Sequence, residues 1–318
     1  MARDSPTAPD RSPDRRGRPD SLRWRLSRLV DVLTGSTIDV EPYDPDRHGP
    51  LISFSGIQGY EEVDRYWVNA PYAFISINFD PEENAHKYVV VEPELDAFER
   101  EILEDLFDDI RDTLIYEAEY DPDDPEAVLK SHLAELLGQY GLEVDMNTFY
   151  RLYYYLYRSF EGFEKLDPLM SDPHIEDISC DGYDIPLYVY HDEYTDIETN
   201  RSYDEEELDS FVIRLAQQSG RHISVGDPVT ETTLPDGSRA ELALGREVTP
   251  RGSAFTIRKY AEEPFTPAAL IDLDTYSLDQ MAYLWLAIES NKSLIFAGGT
   301  ASGKTTSMNA VSMFVPPR

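Results

Sequence analysis

The feature that most constrains this chain is a glycine-rich segment near residue 300 that directly follows a short apolar run. Residues 293–306 read SLIFAGGTASGKTT. The pattern G-x-x-x-x-G-K-[ST] is matched by Gly298, Gly303, Lys304 and Thr305. In this pattern backbone N–H groups surround phosphates, the lysine reaches the β- and γ-phosphates, and the threonine hydroxyl holds Mg²⁺. The pattern predicts a strand, a tight loop and a helix in succession.

The loop and the first turn of the following helix supply the predicted site. The residues predicted to bind nucleotide are Gly298, Gly299, Thr300, Ala301, Ser302, Gly303, Lys304, Thr305 and Thr306. Lys304 is also predicted to be catalytic, and Thr305 to be the metal ligand. Apolar residues 294–297 predict the strand, and the spacing over residues 304–314 predicts a helix whose positive end faces the anion. The predicted cofactors are ATP and Mg²⁺, and a glycine-rich turn without a ligand is the alternative.

Charge is the second strong constraint. The 318 residues include 62 acidic and 28 basic side chains, which gives a net charge of −34, and the acids are spread along the whole chain. Such a surface repels itself in dilute buffer, whereas at molar salt the Debye length falls to about 3 Å and the repulsion is screened. This distribution indicates a halophilic cytoplasmic protein, and an ordinary acidic protein is the alternative.

Cysteine content and hydropathy indicate a protein that is not exported. Cys180 is the single cysteine, so an intramolecular disulfide is excluded and a reducing compartment is expected. No apolar run approaches the roughly 18 residues that a membrane span needs, and the N-terminus lacks the apolar part of a signal peptide. Residues 22–34 predict a basic amphipathic helix, which contacts either a membrane or partner surface or the acidic body of the chain itself.

Composition and periodicity divide the chain into six regions. They are a disordered tail (1–21), a leader helix and strands (22–84), a helical bundle (85–168), a small α/β domain (169–262), a linker (263–269) and the start of a P-loop domain (270–318). Within the bundle we predict helices over 94–117, 125–140 and 148–160. The aromatic residues of the third helix favour packing over nucleic-acid stacking, because only Arg151 and Arg158 accompany them.

Turn and cap signals add detail to the later regions. Ser202 with Glu205 and Ser277 with Gln280 predict two capping boxes at helix starts. TLPDGSRAELAL predicts a hairpin through its Pro-Asp-Gly turn, and GSAFTIRKY predicts a further strand. Glu176 and Asp177 are adjacent acids that we expect to cap a turn. The fold class predicted from these elements is α/β.

Several segments, in their order and spacing, carry a resemblance to a known family. IEDISCDG, ISVGDPVTETTLPDGSR, GSAFTIRKY and FAGGTASGKTT resemble the ATPases of type II and type IV secretion systems and of pilus assembly. RYWVNAPYAFISINF and YVVVEPEL resemble the leader regions of the archaeal, haloarchaeal branch. The resemblance covers about residues 50–318, and LPDGSR with TIRK is more selective than the phosphate loop alone.

The resemblance implies an α+β N-terminal region followed by the start of a RecA-like P-loop NTPase domain. It also implies a cytoplasmic homo-hexamer at the inner face of the membrane, which clamps nucleotide between two domains and moves a polytopic membrane platform protein. By the same resemblance, Arg239 in LPDGSR and Arg258 in TIRK are catalytic cations near the phosphates. For each arginine, a surface or interdomain ion pair is the alternative.

The sequence also departs from this family. Only 12 residues follow Thr306, so the family's catalytic glutamate, Walker B acids and histidine motif are missing, and we expect a fragment or a chain completed by a full-length homologue. Three hypotheses follow: a secretion, pilus or archaellum ATPase, a non-catalytic nucleotide-binding fragment or regulatory ring subunit, and a DNA-moving P-loop motor. No nucleic-acid partner is expected, because the acidic body lacks a basic path for phosphates.

Metal-binding patterns are absent from the sequence. The six histidines show no H-E-x-x-H spacing, and a single cysteine cannot form a zinc pair. YDPDDPE lacks the glycine and distal glutamate of a calcium loop. The sequence therefore predicts no structural metal beyond nucleotide-bound Mg²⁺.

Overall fold

The computed structural model describes residues 40–116, 125–260, 265–299 and 302–316. The chain divides into two compact units, of which the first comprises Met1–Ser53 with Pro93–Glu164 and the second Phe54–Glu92 with Lys165–Arg318. The predicted tail and basic helix, over residues 1–34, lie outside the described residues. In the described ranges, no helix combines the length and apolar character needed to cross a bilayer.

The first unit is helical. Its helices are α1 Pro45–His48, α2 Ala97–Tyr116, α3 Pro125–Gln139 and α4 Met146–Phe160. The last three lie within three residues of the boundaries expected from apolar spacing. Asp145 begins α4 by accepting a hydrogen bond from the backbone N–H of Thr148, which satisfies one of the unpaired donors at the helix start.

Helix α4 is held by aromatic packing and by one buried ion pair. The rings of Phe149, Tyr150, Tyr153 and Tyr154 are buried in the helical unit. The carboxylate of Glu99 on α2 is also buried and accepts a 3.0 Å hydrogen bond from Nε of Arg151 on α4. The chain buries these rings because one face of α4 carries them at helical spacing.

The second unit is built on a nine-stranded sheet with the order β1-β2-β3-β6-β5-β4-β9-β8-β7. The strands are β1 Glu61–Asn69, β2 Ala73–Asp80, β3 Ala85–Val91, β4 Ile175–Cys180, β5 Tyr188–His191, β6 Thr195–Thr199, β7 Val229–Thr233, β8 Arg239–Ala243 and β9 Ala254–Arg258. All neighbours are antiparallel except β3 and β6, which are parallel. Strands from before and after the helical unit thus share one sheet, and the expected α/β class is confirmed.

Three further helices in this unit are short or pack on the sheet. The 3₁₀ helix Glu164–Leu166 leads into α5 Asp167–Ser171, and α6 Glu205–Gln218 follows β6. Phe211 on α6 contacts Phe255 on β9 with ring centroids 5.4 Å apart. Helix α6 thus covers one face of β8 and β9. Because side chains alternate along a strand, the side chains on the opposite face of these two strands are open to solvent.

The predicted capping box at the start of α6 is wrong by two residues. Asp204, not Ser202, is the N-cap: its carboxylate accepts from the backbone N–H of Glu207, whose side chain reaches back to the N–H of Asp204. Both pairs fit the same sequence spacing, and the extended backbone at Asp204 selects the later one.

The C-terminal part of the second unit contains α7 Pro267–Asp272, α8 Leu278–Glu289 and α9 Lys304–Ser312. Leu270, Met281, Ala310 and Val311 form its buried core. The predicted capping box at the start of α8 is confirmed, because Ser277 and Gln280 each bond to the other's backbone N–H.

The predicted strand before the phosphate loop is not formed as a paired strand. Leu294 and Phe296 pack against the C-terminal core, whereas Ile295 between them is 93% exposed. The side chains thus alternate as in a strand, but no strand among the described residues pairs with this segment. The prediction fails because a strand requires a hydrogen-bonded neighbour as well as an alternating pattern.

Candidate functional site

The loop that precedes α9 has glycines at two positions where a side chain would be crowded or strained. A Cβ at Gly298 would lie 2.4 Å from Oγ of Ser302. Gly303 is the N-cap of α9 and has φ of 74°, in the left-handed region that glycine adopts without a steric penalty. These are the two glycines that the sequence pattern fixes, so the local conformation explains both.

Lys304 folds back over this loop. Its ammonium group donates to the carbonyl oxygen of Gly299 and lies 3.4 Å from Oγ of Ser302, which itself donates to the Gly299 carbonyl at 2.9 Å. The lysine is the first residue of α9, where unpaired N–H groups and the helix dipole favour an anion. A phosphate held there would offer the ammonium a charged acceptor in place of a neutral carbonyl.

The structure describes all but two of the residues that the sequence predicts to bind nucleotide. Thr300 and Ala301 lie outside the described residues. Gly298, Ser302 and Lys304 come together as described, while Thr305 is exposed on the first turn of α9. The predicted roles of these residues toward nucleotide and Mg²⁺ stay predictions.

The two arginines singled out from the sequence lie side by side on the open face of the sheet. Arg239 on β8 is the register partner of Arg258 on β9, and Arg258 is in turn the partner of Asp177 on β4. Nε and Nη2 of Arg258 donate to the two carboxylate oxygens of Asp177 at 2.9 and 3.3 Å. These hydrogen bonds, and then the charge of Asp177, raise the pKa of Arg258.

The turn-capping role expected for Asp177 is therefore wrong: in the part of the chain that the structure describes, both carboxylate oxygens of Asp177 accept from Arg258 on the neighbouring strand and neither caps a turn. Arg239 differs from its neighbour. It is exposed, and within the residues that the structure describes its guanidinium has no hydrogen bond or ion pair. Unlike Arg258, it keeps its full set of donors for a ligand.

A pocket of about 510 Å³ lies on this face of the sheet. Its charged lining residues are Arg221, Arg239, Arg258, Asp177, Glu231 and Glu241. Sequence patterns did not single out Arg221, which lies just after the C-terminus of α6 and is brought to the pocket by the fold. Three cations and three acids line the pocket, and only Arg258 and Asp177 neutralise each other directly, so a carboxylate or phosphate can pair with the other guanidinium groups.

The neighbouring lysine of the TIRK segment is turned the other way, into the protein. Nζ of Lys259 donates to the backbone carbonyls of Leu169, at 3.2 Å, and of Asp172. Burial lowers the pKa of Lys259 to about 8. Lys259 therefore joins β9 to the end of α5, away from the pocket.

Among the described residues, no hydrogen bond or ion pair joins Arg239 or Arg258 to the phosphate loop.

Comparison of the sequence with known proteins assigns the chain to a family. Residues 20–94 match a family described as PilB3-like, N-terminal. The uncharacterized protein MJ1288 of Methanocaldococcus jannaschii is 37% identical over 185 residues, which cover 56% of this chain and 71% of that protein. The chain belongs to the MJ1288 family.

Two other relatives are an uncharacterized archaeal protein and a bacterial secretion-system protein. The uncharacterized protein MJ0900 of the same archaeon is 32% identical over 268 residues, 77% of this chain and 48% of MJ0900. The chain thus spans about half the length of MJ0900. The type IV secretion system protein PtlH of Bordetella pertussis is 29% identical over 132 residues, 35% of this chain and 39% of PtlH. With the PilB3-like match, PtlH supports the secretion-system resemblance at family level.

Solved structures were also matched, among them one secretion-system ATPase. It is the VirB11 ATPase from the Brucella suis type IV secretion system in complex with sulphate, with 22% identity, a TM-score of 0.31 and coverage of 48% of this chain and 51% of that chain. A score this low does not establish a shared arrangement of domains.

Proposed function

We propose that this member of the MJ1288 family is an ATP-binding subunit of a secretion or pilus-assembly motor. Mg·ATP would occupy the loop before α9, with Lys304 on the β- and γ-phosphates and Thr305 on Mg²⁺. The subunits would form a hexameric ring at the cytoplasmic face of an archaeal membrane and act on a membrane platform protein.

The observation that carries the proposal is the conformation of the loop. Gly298 and Gly303 occupy positions that exclude or penalise a side chain, and Lys304 lies over the loop at the start of a helix. A turn with no ligand has no need of an ammonium group above it, whereas a polyphosphate site needs one. The PilB3-like match and the similarity to PtlH favour a secretion machine as the user of the nucleotide.

The arginine pair supports a second part of the same proposal. Arg239 would bind a phosphate oxygen or stabilise charge that develops on the transferred phosphoryl group. Arg258 is already paired with Asp177 and would hold that carboxylate away from Arg239. Arg239 would then remain free to contact the ligand. In this scheme Arg239 contacts the ligand, and Arg258 acts through its neighbour.

The test is binding of a fluorescent ATP analogue with Mg²⁺ to the full chain in molar KCl. We expect Lys304→Ala to weaken binding at least about tenfold, because one charge-assisted contact contributes about 1.5–3 kcal/mol. Lys292→Ala is the matched control, since Lys292 is an exposed lysine twelve positions earlier, and it should bind like the wild type. Equal affinities for wild type and Lys304→Ala would contradict the proposal.

A further inference from the structure

Two histidines that are far apart in sequence come together with one aspartate at the turn between β5 and β6. His191 ends β5, Asp192 follows it, and His174 immediately precedes β4. The backbone N–H of Asp192 donates to the carbonyl of His174 at 2.9 Å, which fixes the two strands at this level. The two imidazole rings are nearly parallel, with centroids 5.4 Å apart.

The Asp192 carboxylate lies between the two imidazoles. Its Oδ2 is 3.0 Å from Nδ1 of His174, and its Oδ1 is 3.1 Å from Nδ1 of His191. The three groups place one ligand atom each within 4.8 Å of one another. A zinc ion about 2.0–2.2 Å from nitrogen and oxygen ligands brings those ligands to separations slightly above 3 Å. The two nitrogen–oxygen separations, each to a different oxygen of Asp192, are already close to that value.

A hydrogen-bond chain behind His191 determines which ring nitrogen carries the proton. The hydroxyl of Tyr66 donates to Oδ2 of the buried Asp172 at 2.8 Å, so its oxygen is the acceptor for Nε2 of His191, 3.1 Å away. The proton on Nε2 leaves Nδ1 with a lone pair. Metal-binding histidines characteristically have such a partner for the second nitrogen, often a carboxylate or a group bonded to one.

Nδ1 of His191 accepts hydrogen bonds from the backbone N–H groups of Glu193, at 3.1 Å, and of Tyr194, at 3.4 Å, and Oδ1 of Asp192 lies 3.1 Å from the same nitrogen. A metal ion held by Nδ1 would replace these hydrogen bonds, and the two amides would turn to solvent. His191 is buried while His174 and Asp192 are about half exposed, so the site has an open side for entry and for a water ligand.

We propose that His174, His191 and Asp192 form a binding site for one Zn²⁺ ion that clips the β5–β6 turn to the start of β4. Two imidazoles and a carboxylate suit zinc and similar transition metals, whereas Mg²⁺ prefers oxygen ligands alone. The site is therefore distinct in chemistry from any Mg²⁺ held with nucleotide by Thr305. The 16 residues between the two histidines explain why no sequence pattern indicated it.

The test is a calorimetric titration of the full chain, freed of metal by chelation, with ZnCl₂ in molar KCl and excess Mg²⁺. Salt and Mg²⁺ suppress nonspecific binding of zinc to the acidic surface. We expect one site per chain in the wild type. His174→Ala and Asp192→Asn, both exposed and therefore expected to fold, should bind at least about tenfold more weakly. His222→Ala, which removes an exposed histidine elsewhere, is the control and should bind normally.

A second measurement separates ligation from surface adsorption. Co²⁺ in a site of two imidazoles and one carboxylate gives the visible absorption of a low-coordinate ion, and addition of Zn²⁺ should abolish it. The proposal is overturned if the wild type binds no zinc at one equivalent, or if both exposed variants bind zinc as tightly as the wild type. Circular dichroism in chelator verifies that every variant is folded.

Discussion

Arg239 and Arg258 lie directly opposite each other on antiparallel strands β8 and β9, with both side chains on the open face of the sheet. Like charges in this position destabilise a sheet. Asp177 on the next strand neutralises Arg258 through two hydrogen bonds, and among the described residues Arg239 has no such partner. An anion bound in the pocket would remove the remaining repulsion.

Replacement of Arg239 should therefore separate ligand binding from stability. We expect Arg239→Ala to weaken Mg·ATP binding by about tenfold or more while leaving the free energy of unfolding unchanged or slightly higher. Arg246→Ala is the control, because Arg246 is an exposed arginine that pairs with Glu205. Fluorescence titration and urea denaturation measure the two quantities. A loss of affinity of the same size in both variants would point to general charge and not to Arg239.

The buried pair of Glu99 and Arg151 should be essential for the helical unit. Arg151→Met leaves a buried carboxylate without its cation, which costs about 3–5 kcal/mol. The double variant Arg151→Met/Glu99→Leu should recover much of that loss, because it removes both charges. Denaturation followed by circular dichroism measures each free energy. Additive losses in the double variant would show that the two side chains are not coupled.

Gly252 should tolerate alanine far less well than Gly245. Both have positive φ, of 103° at Gly252 and 73° at Gly245. A Cβ at Gly252 would lie 2.0 Å from the ring of Tyr183, whereas a Cβ at Gly245 would have no atom within 4 Å. We expect Gly245→Ala to destabilise by about 1 kcal/mol from backbone strain alone, and Gly252→Ala by about 3 kcal/mol or more. Melting temperatures of the two variants in molar KCl test this. Equal shifts would mean that Tyr183 moves aside freely.

Lys259 should make stability rise with pH in the alkaline range. Its pKa falls from 10.5 to about 8 on folding because it is buried. Between these values the unfolded chain binds more protons than the folded chain, so the free energy of unfolding increases as pH rises. From pH 8 to about 9.5, before tyrosines titrate, we expect a gain of about 1–2 kcal/mol over the Lys259→Met variant.

Urea denaturation at several pH values measures this difference. The variant removes the titrating group while keeping an extended side chain of similar length. Subtraction of the two curves removes the effect of the acidic surface, which both proteins share. Parallel curves across this range would contradict the lowered pKa of Lys259.

Local signals in the sequence predicted local structure well. The Ser277–Gln280 capping box and the helices around Leu106 and Leu133 are where spacing placed them. The box at Ser202 failed because Asp204 and Glu207 offer the same chemistry two residues later. Such a choice depends on the backbone conformation before the helix, which no spacing rule contains.

Contacts between distant segments were not predictable in the same way. Arg239 and Arg258 were expected near one ligand, but their direct pairing and the role of Asp177 depend on strand order. His174 and His191 meet only because β4 and β5 are neighbours. Register and strand order follow from packing over the whole sheet, so residues whose chemistry depends on them have no signature at short range.

The parallel junction of β3 and β6 has a consequence for biosynthesis. Lys87 and Glu198, which pair across it, are 111 residues apart. While the chain is being made, β3 leaves the ribosome long before its neighbour and presents a bare edge until Thr199 has emerged. The helical unit is translated during that interval, so its early folding would shorten the search that finally brings the two strands together.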